Sequence, residues 1–190
     1  MCGRFVLISK LSQIAEEFNL KDMAPSFVPL GDTYPGQKAA CIIAENVKNC
    51  LVNLAWGFSP RWSKQKAISK PIINARAETL AEKPTFREAF QHRRCLIAAD
   101  AFYEWSQEKR QFCFYVQNHK PFGLAGIFDE PDITATGKAA SFIIITTTPN
   151  KLIAPMHNRM PVIIPQDKQS LWLDNANFEK SGLQSLLTPY

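Results

Sequence analysis

No apolar run in this 190-residue chain approaches the length of a membrane span, which sets aside a helical membrane protein. No basic segment followed by a long apolar stretch opens it, so no secretory leader is expected. Cys-x-x-Cys and His-x-x-x-His spacings are both missing; a zinc site would have to gather scattered ligands, and no metal is expected. A Gly-rich phosphate loop and a Gly-x-Ser-x-Gly elbow are also missing. Nucleotide-dependent phosphoryl transfer and serine-hydrolase chemistry therefore lose their usual signals, and no cofactor is expected. Histidine is scarce, with only His92, His119 and His157.

What is present is an ordinary globular balance, 46% hydrophobic and 21% charged, in a length that suits one domain over residues 1–190. Cys2, Cys41, Cys50, Cys95 and Cys113 form an odd, irregularly spaced set. That argues against a disulfide framework and for a reducing compartment, with the cytoplasm as the expected location. Lys and Arg outnumber Asp and Glu by 22 to 17, for a formal charge of +5. Such an excess is compatible with a nucleic-acid partner, because each phosphate contact releases counterions. The placement of Arg4, Arg61, Arg76, Arg93, Arg94 and Arg159 matters more than the sum.

Leu11, Ile14, Ala15 and Phe18 recur at helical spacing and predict an amphipathic first helix. Pro25, Pro29 and Pro35 with Gly31 and Gly36 predict a loop over 25–36. Strands are predicted over 39–44, 50–56, 95–99, 112–116, 123–128 and 141–147, and short helices after Pro84, over 166–173 and over 180–187. The basic stretch 56–71, with Trp56 and Trp62, reads as a surface loop. Together these predict an α+β domain with a strongly curved, mostly antiparallel sheet or barrel-like core and short peripheral helices.

Chemistry begins at Met1-Cys2-Gly3. Removal of Met1 from so small a neighbour would leave an α-amine and a thiol on adjacent carbons. An α-amine titrates near about 7.7–8.0, so part of it is neutral at pH 7. It can attack an aldehyde to give a Schiff base, which the thiol can close into a thiazolidine; alternatively the amine serves as base while the thiol attacks a peptide carbonyl. Against both stands a plain buried cysteine.

Three further stretches carry polar groups in suggestive settings. In Ile73-Asn74-Ala75-Arg76-Ala77-Glu78-Thr79, strict alternation would put Asn74, Arg76 and Glu78 on one strand face, either as a site or as an exposed polar surface. Asn74 offers a donor and an acceptor, and Arg76 a planar fork for phosphate. Glu104 lies between aromatics in Phe102-Tyr103-Glu104-Trp105, where burial would raise its proton affinity; pairing with a structural arginine is the other reading. His157, in Met156-His157-Asn158-Arg159-Met160-Pro161, has a more enclosed setting than His92 or His119, and is either an acid–base group or a core histidine. Asp100 is assigned no chemistry.

Cys2-Gly3-Arg4-Phe5, Pro35-Gly36-Gln37, Trp56-Gly57-Phe58, the Asn74 and Glu104 stretches and His157-Asn158-Arg159-Met160-Pro161 occur in that order. This set, running from residue 2 to 161, resembles the SOS-response-associated peptidase (SRAP) family of abasic-site processing proteins. The resemblance implies that the mature N-terminal Cys2 bonds covalently to the aldehyde of an abasic site in single-stranded DNA as a thiazolidine. It implies a catalytic set of Cys2, Asn74, Glu104 and His157: Asn74 positions the N-terminus, Glu104 relays protons to the α-amine, and His157 assists proton transfer at the sugar. It implies DNA contacts from Arg4, Pro35, Trp62, Arg76 and Arg159, and a positively charged cleft in a β-rich α+β domain. Peptidase (hydrolase) and lyase activities, a monomer, nucleoid association when bound to DNA, no membrane and no cofactor complete the expectation. Two departures from the family pattern are Asp32, where Asn is frequent, and Ser63, where a second aromatic can follow Trp62. A thiol peptidase that trims its own N-terminus and a non-covalent single-stranded DNA-binding module are the competing classes.

Overall fold

The longest apolar runs fold as strands buried at every position: β7 (Arg94–Ala99), β10 (Phe122–Asp129) and β11 (Ser141–Thr147). Strands covered on both faces read as continuous rather than alternating hydrophobic segments. They belong to a computed structural model that describes residues 2–22, 30–45, 48–58, 71–129, 140–176 and 178–190. The long hairpin β4 (Lys38–Glu45) and β5 (Lys48–Trp56) extends the sheet, β4 pairing with β7 and β7 with β10. β10 pairs antiparallel with β11, and β11 returns to β5 in parallel, Ser141 opposite Ala55 and Phe142 opposite Trp56. The strands β11, β10, β7, β4 and β5 thus close on themselves, which leaves no open edge between β11 and β5. The barrel-like core is present, and its closing seam is parallel while the other pairings of this ring are antiparallel.

Gly126 sits in β10 where no side chain can be accommodated. A Cβ there would lie 2.5 Å from Ile97 Cδ1 and 2.9 Å from the Ile143 carbonyl oxygen, so only glycine fits.

The two faces of the barrel strands bury two separate apolar clusters. One is shared with α1 (Leu11–Glu17), α2 (Pro84–His92), α3 (Gln169–Leu173) and α4 (Lys180–Ser185), through residues such as Ile14, Phe90, Trp172 and Leu183. The other holds Phe5, Trp56, Phe102, Phe142 and Cys2. Between α2 and α3 lies Arg94, fully buried. It donates to the carbonyls of Phe90 and Gln91 at the end of α2, and to those of Trp172 and Asp174 at the end of α3. Burial lowers its pKa to about 10, which leaves it charged at neutral pH against the negative ends of two helices.

A second, small sheet runs in the order β3 (Gly31–Thr33), β1 (Phe5–Leu7), β8 (Ala101–Trp105), β9 (Gln111–Phe114). Asp100 ties its start together, accepting from the backbone N–H groups of Ile8 and Ser9 and from the Ser9 hydroxyl. The remaining strands are β2 (Leu20–Asp22), β6 (Asn74–Arg76), β12 (Met160–Pro161) and β13 (Ile163–Ile164). Among the described residues no helix is long and apolar enough to cross a membrane.

Two local expectations are corrected. The 25–36 stretch is not loop throughout, because Gly31–Thr33 pairs with β1 as an edge strand; residues 23–29 lie outside the described residues. Asn74, Arg76 and Glu78 do not share one strand face, because β6 stops at Arg76 and Ala77–Thr79 turns into a 3-10 helix.

Candidate functional site

Cys2 precedes β1 and is fully buried, its Sγ 3.8 Å from the Arg4 carbonyl. Burial, reinforced by the negative charge of Glu104, pushes the thiol up to about 12. At neutral pH it is therefore a protonated thiol and not a ready nucleophile.

Asn74 reaches Cys2 from the other side. β6 runs parallel to β11, with Ile144 opposite Asn74 and Thr146 opposite Arg76, and the Trp56 indole N–H fixes the approach by donating to the Ile73 carbonyl at 2.9 Å. Asn74 Nδ2 then donates to the Cys2 carbonyl at 3.0 Å. Its Oδ1 is buried and has no hydrogen-bond partner among the described residues.

Glu104 arrives on β8, where period-two alternation sends Phe102 and Glu104 inward and leaves Tyr103 and Trp105 more exposed. The Glu104 carboxyl is 1% exposed. Burial raises its pKa, and the N-terminal amine and then His157 offset this only in part.

His157 follows a helical turn anchored by Asn150, whose Oδ1 accepts from the backbone N–H groups of Leu152 and Ile153. The His157 N–H donates to the Ile153 carbonyl at 2.9 Å, and Ile153 is buried in the same cluster as Cys2. His157 Nδ1 lies 3.9 Å from Glu104 Oε2. The backbone of Arg159 brackets that nitrogen: its N–H is 3.0 Å away and its carbonyl oxygen 2.9 Å. The Arg159 backbone thus offers Nδ1 both a donor and an acceptor, and holds the ring in place whichever ring nitrogen carries the proton. A carboxylate of raised proton affinity, an imidazole beside it and a cysteine whose carbonyl is held by an amide form a constellation suited to moving protons around a nucleophile at residue 2.

The cationic side chains divide into held and free. Arg4 is held by Asp32, Nε to Oδ1 at 3.0 Å and Nη2 to Oδ2 at 2.7 Å, and its guanidinium lies 4.2 Å from the Tyr103 ring centroid and 5.5 Å from that of Tyr34. Arg159 is held by Glu78, also with two bonds but end-on through Nη1 and Nη2, at 2.6 and 3.0 Å. Arg76 is exposed at the end of β6. Arg93 faces Glu88 and Asp129, and Arg94 serves the helix ends, so neither belongs to this site. Pro35 is exposed at the second position of the turn Tyr34-Pro35-Gly36-Gln37, which closes with Gln37 N–H on the Tyr34 carbonyl at 3.1 Å; the φ of +91° at Gly36 is the positive value that a type II turn demands of its third residue. Trp62, with Arg61 and Ser63, lies outside the described residues.

Sequence reasoning passes over Thr146, which is fully buried in β11 and links the two halves of the site. Its hydroxyl donates to the Ala75 carbonyl at 3.3 Å and accepts from Arg159 Nη2 at 3.4 Å. The signal available was a hydroxyl residue directly after three isoleucines in a fully buried strand. A cavity of about 490 Å³ opens elsewhere, on the outer face of the small sheet among Val6, Ile8, Tyr103, Cys113, Tyr115 and His119, and includes none of Cys2, Asn74, Glu104 or His157. Among the described residues no group of three His, Cys, Asp or Glu side chains is placed to hold a metal ion.

A family model described as SOS response associated peptidase (SRAP) matches residues 1–190. The abasic site processing protein YoqW of Bacillus subtilis is 38% identical over 196 aligned residues, covering 100% of this chain and 88% of its own. The abasic site processing protein YoaM of the same organism is 37% identical over 196 residues, covering 100% and 86%. A protein from Bacteroides thetaiotaomicron, known from its X-ray crystal structure, superposes with a TM-score of 0.83 at 26% identity, covering 100% of this chain and 88% of that one.

Proposed function

The chain belongs to the SOS response associated peptidase family, and from that premise we propose that it processes abasic sites, capturing them in single-stranded DNA through a covalent bond to Cys2. The observation that carries this reading is the convergence of four residues distant in sequence: Asn74 on the Cys2 carbonyl, and Glu104 beside His157 in the same buried region. The names of the relatives YoqW and YoaM support the substrate class.

The proposed sequence starts with hydrolytic removal of Met1, which frees the Cys2 α-amine. The neutral amine attacks the C1′ aldehyde of the ring-opened abasic sugar, and the carbinolamine loses water to give an imine. The thiol then adds to the imine carbon, its proton passing to nitrogen, and closes a five-membered thiazolidine; one water leaves overall. Asn74 holds the Cys2 carbonyl and so fixes the direction of the amine. Glu104, whose burial raises its proton affinity, takes the proton from the ammonium as a carboxylate and, now protonated, returns it where the hydroxyl departs. His157 exchanges a proton with the sugar ring oxygen as the ring opens. Arg76 is available for a flanking phosphate and Arg4 would first exchange Asp32 for phosphate, while Arg159 stays paired with Glu78. Trp62 and Pro35 are the groups proposed to meet bases.

The test is a denaturing gel of the processed protein mixed with a single-stranded oligonucleotide bearing one abasic site. A shifted band that disappears in Cys2→Ala is expected. No band at all sinks the covalent reading. Binding to the oligonucleotide that is indifferent to Cys2→Ala and gives no band would leave a non-covalent DNA-binding module. Hydrolysis of peptide substrates abolished by Cys2→Ala, without any band, would leave a thiol peptidase.

A further inference from the structure

Arg159 reaches the site twice, by its backbone and by its side chain. The backbone N–H and carbonyl oxygen both lie within 3.0 Å of His157 Nδ1, so the orientation of the imidazole follows the position of this one residue. The side chain is 11% exposed and is held at both terminal nitrogens. Nη2 also donates to the carbonyl of Thr146 at 2.5 Å, and through the Thr146 hydroxyl it is linked to Ala75, the neighbour of Asn74. The charge of this nearly buried guanidinium is balanced by Glu78, a half-exposed carboxylate on the 3-10 turn that follows β6. Its own pKa is lowered, chiefly by the hydrogen bonds from Arg159, so it is ionised wherever the site operates. A buried arginine deprived of such a partner keeps its desolvation cost and loses its geometry.

From this chain of contacts we propose that Glu78 is a positioning residue for His157, acting through Arg159. Glu78 touches neither Cys2, Glu104 nor His157 among the contacts of the structure; its effect is on the rigidity of the segment that orients the ring. The inference rests on the capture of abasic sites proposed above only for its activity readout. Its structural content, that Glu78 determines the state of the His157 ring, stands without DNA.

The experiment has two arms. In the first, the ring nitrogens of His157 are followed by nitrogen-15 nuclear resonance in the DNA-free protein, His157→Ala supplying the assignment. Wild type is expected to show two distinct ring nitrogens, with the Nδ1 signal displaced from free imidazole by its contact with the Arg159 backbone. Glu78→Ala is expected to average the two nitrogens toward free imidazole, and Glu78→Gln, which keeps one hydrogen bond to the guanidinium, to fall between. In the second arm, the crosslinking rate at saturating abasic oligonucleotide is expected to fall about tenfold in Glu78→Ala, the size of effect a small misplacement of a catalytic group produces. Affinity for the intact strand should stay within twofold. In a His157→Ala background Glu78→Ala should cost nothing more.

An equal loss in both backgrounds overturns the proposal. So does a Glu78→Ala protein with wild-type His157 signals and tighter binding to intact DNA, which would place Glu78 on the phosphate grip of Arg159 instead. If Glu78→Ala does not fold, Glu78→Gln carries both arms. A wild type that gives no crosslink overturns the proposed function, and the resonance arm still decides the role of Glu78.

Discussion

The side-chain amide of Asn74 donates to the carbonyl of Cys2 at 3.0 Å, joining the first described residue of the chain to the strand that lies alongside the barrel seam. The bond spans 72 positions of sequence and fixes the backbone carbonyl of Cys2. Asn74→Asp keeps the size but replaces a donor by an acceptor that faces the carbonyl oxygen. Crosslinking is expected to slow by about tenfold to a hundredfold, with intact-strand affinity preserved, because orientation and not binding is lost. Rate constants and affinities measured on the same preparations check this. A fall in affinity that accounts for the whole effect would remove Asn74 from the chemistry.

The Cys2 thiol, pushed up to about 12, should be almost inert to alkylation while the chain retains Met1. Compared with the ordinary value of 9.0, the thiolate fraction at pH 8 is lower by roughly a thousandfold, and thiolate is the reacting species. Iodoacetamide at pH 8, followed by peptide mass spectrometry, should label the exposed Cys113 long before Cys2. Glu104→Gln removes the neighbouring negative charge and should speed Cys2 labelling. Equal labelling of Cys2 and Cys113 would contradict the burial.

Glu104 makes stability depend on pH in a stated direction. Its pKa is raised in the folded chain, chiefly by burial, so the folded state holds the proton more tightly than the unfolded state. Its favourable contribution is complete below the unfolded value and is lost as pH rises through the folded value. Glu104→Gln, which cannot ionise, should therefore gain in Tm relative to wild type as pH is raised from 4 to 8, while crosslinking falls. Thermal unfolding of both proteins across that range reads the difference. A gain that shrinks with rising pH would reverse the sign assigned to Glu104.

Asp32 occupies the Nε–Nη2 edge of Arg4, so the anion competes with any phosphate for that guanidinium. Asp32→Asn should bind single-stranded DNA more tightly and with a steeper salt dependence, the slope of log K against log salt growing by about 0.7 for one added phosphate contact. Fluorescence anisotropy over a salt series measures it. An unchanged slope would mean that Arg4 stays with its tyrosines and meets no phosphate.

Arg94→Met removes four hydrogen bonds to the carbonyls that end α2 and α3 while keeping an apolar stem of similar length. Leaving those carbonyls buried and unpaired should cost about 3–5 kcal/mol of stability. Denaturant unfolding gives the value directly. A loss below about 1 kcal/mol would show that the helix ends find other donors.

The elements legible in the sequence are those specified locally. The apolar runs that became β7, β10 and β11, the period of α1 and the Pro84 start of α2 each follow from neighbours a few residues apart. The seam between β5 and β11 is not local: Trp56 meets Phe142 across the chain, and nothing in either run announces a parallel partner. The short strand β3 was hidden among prolines because its three residues need only the edge of β1. In the site, motif order singled out Cys2, Asn74, Glu104 and His157 together. The carboxylates that hold Arg4 and Arg159 were not readable as partners, since Asp32 and Glu78 lie 28 and 81 positions away from the arginines they bind. Thr146 was invisible for the same reason, its two contacts being supplied by Ala75 and Arg159.

The barrel seam has a consequence for the order of events during synthesis. Cys2 emerges first, yet the groups that surround it come from residues 74, 104 and 157, and β11 must exist before β6 has a strand to lie along. At about 5–20 residues per second, His157 follows Cys2 by roughly 8–30 s. Throughout that interval the N-terminus has none of its native cover and is open to an aminopeptidase. On the proposed mechanism, which needs Met1 removed, closure of the seam would end this window, so slower translation is expected to raise the fraction of chains with a free α-amine at Cys2.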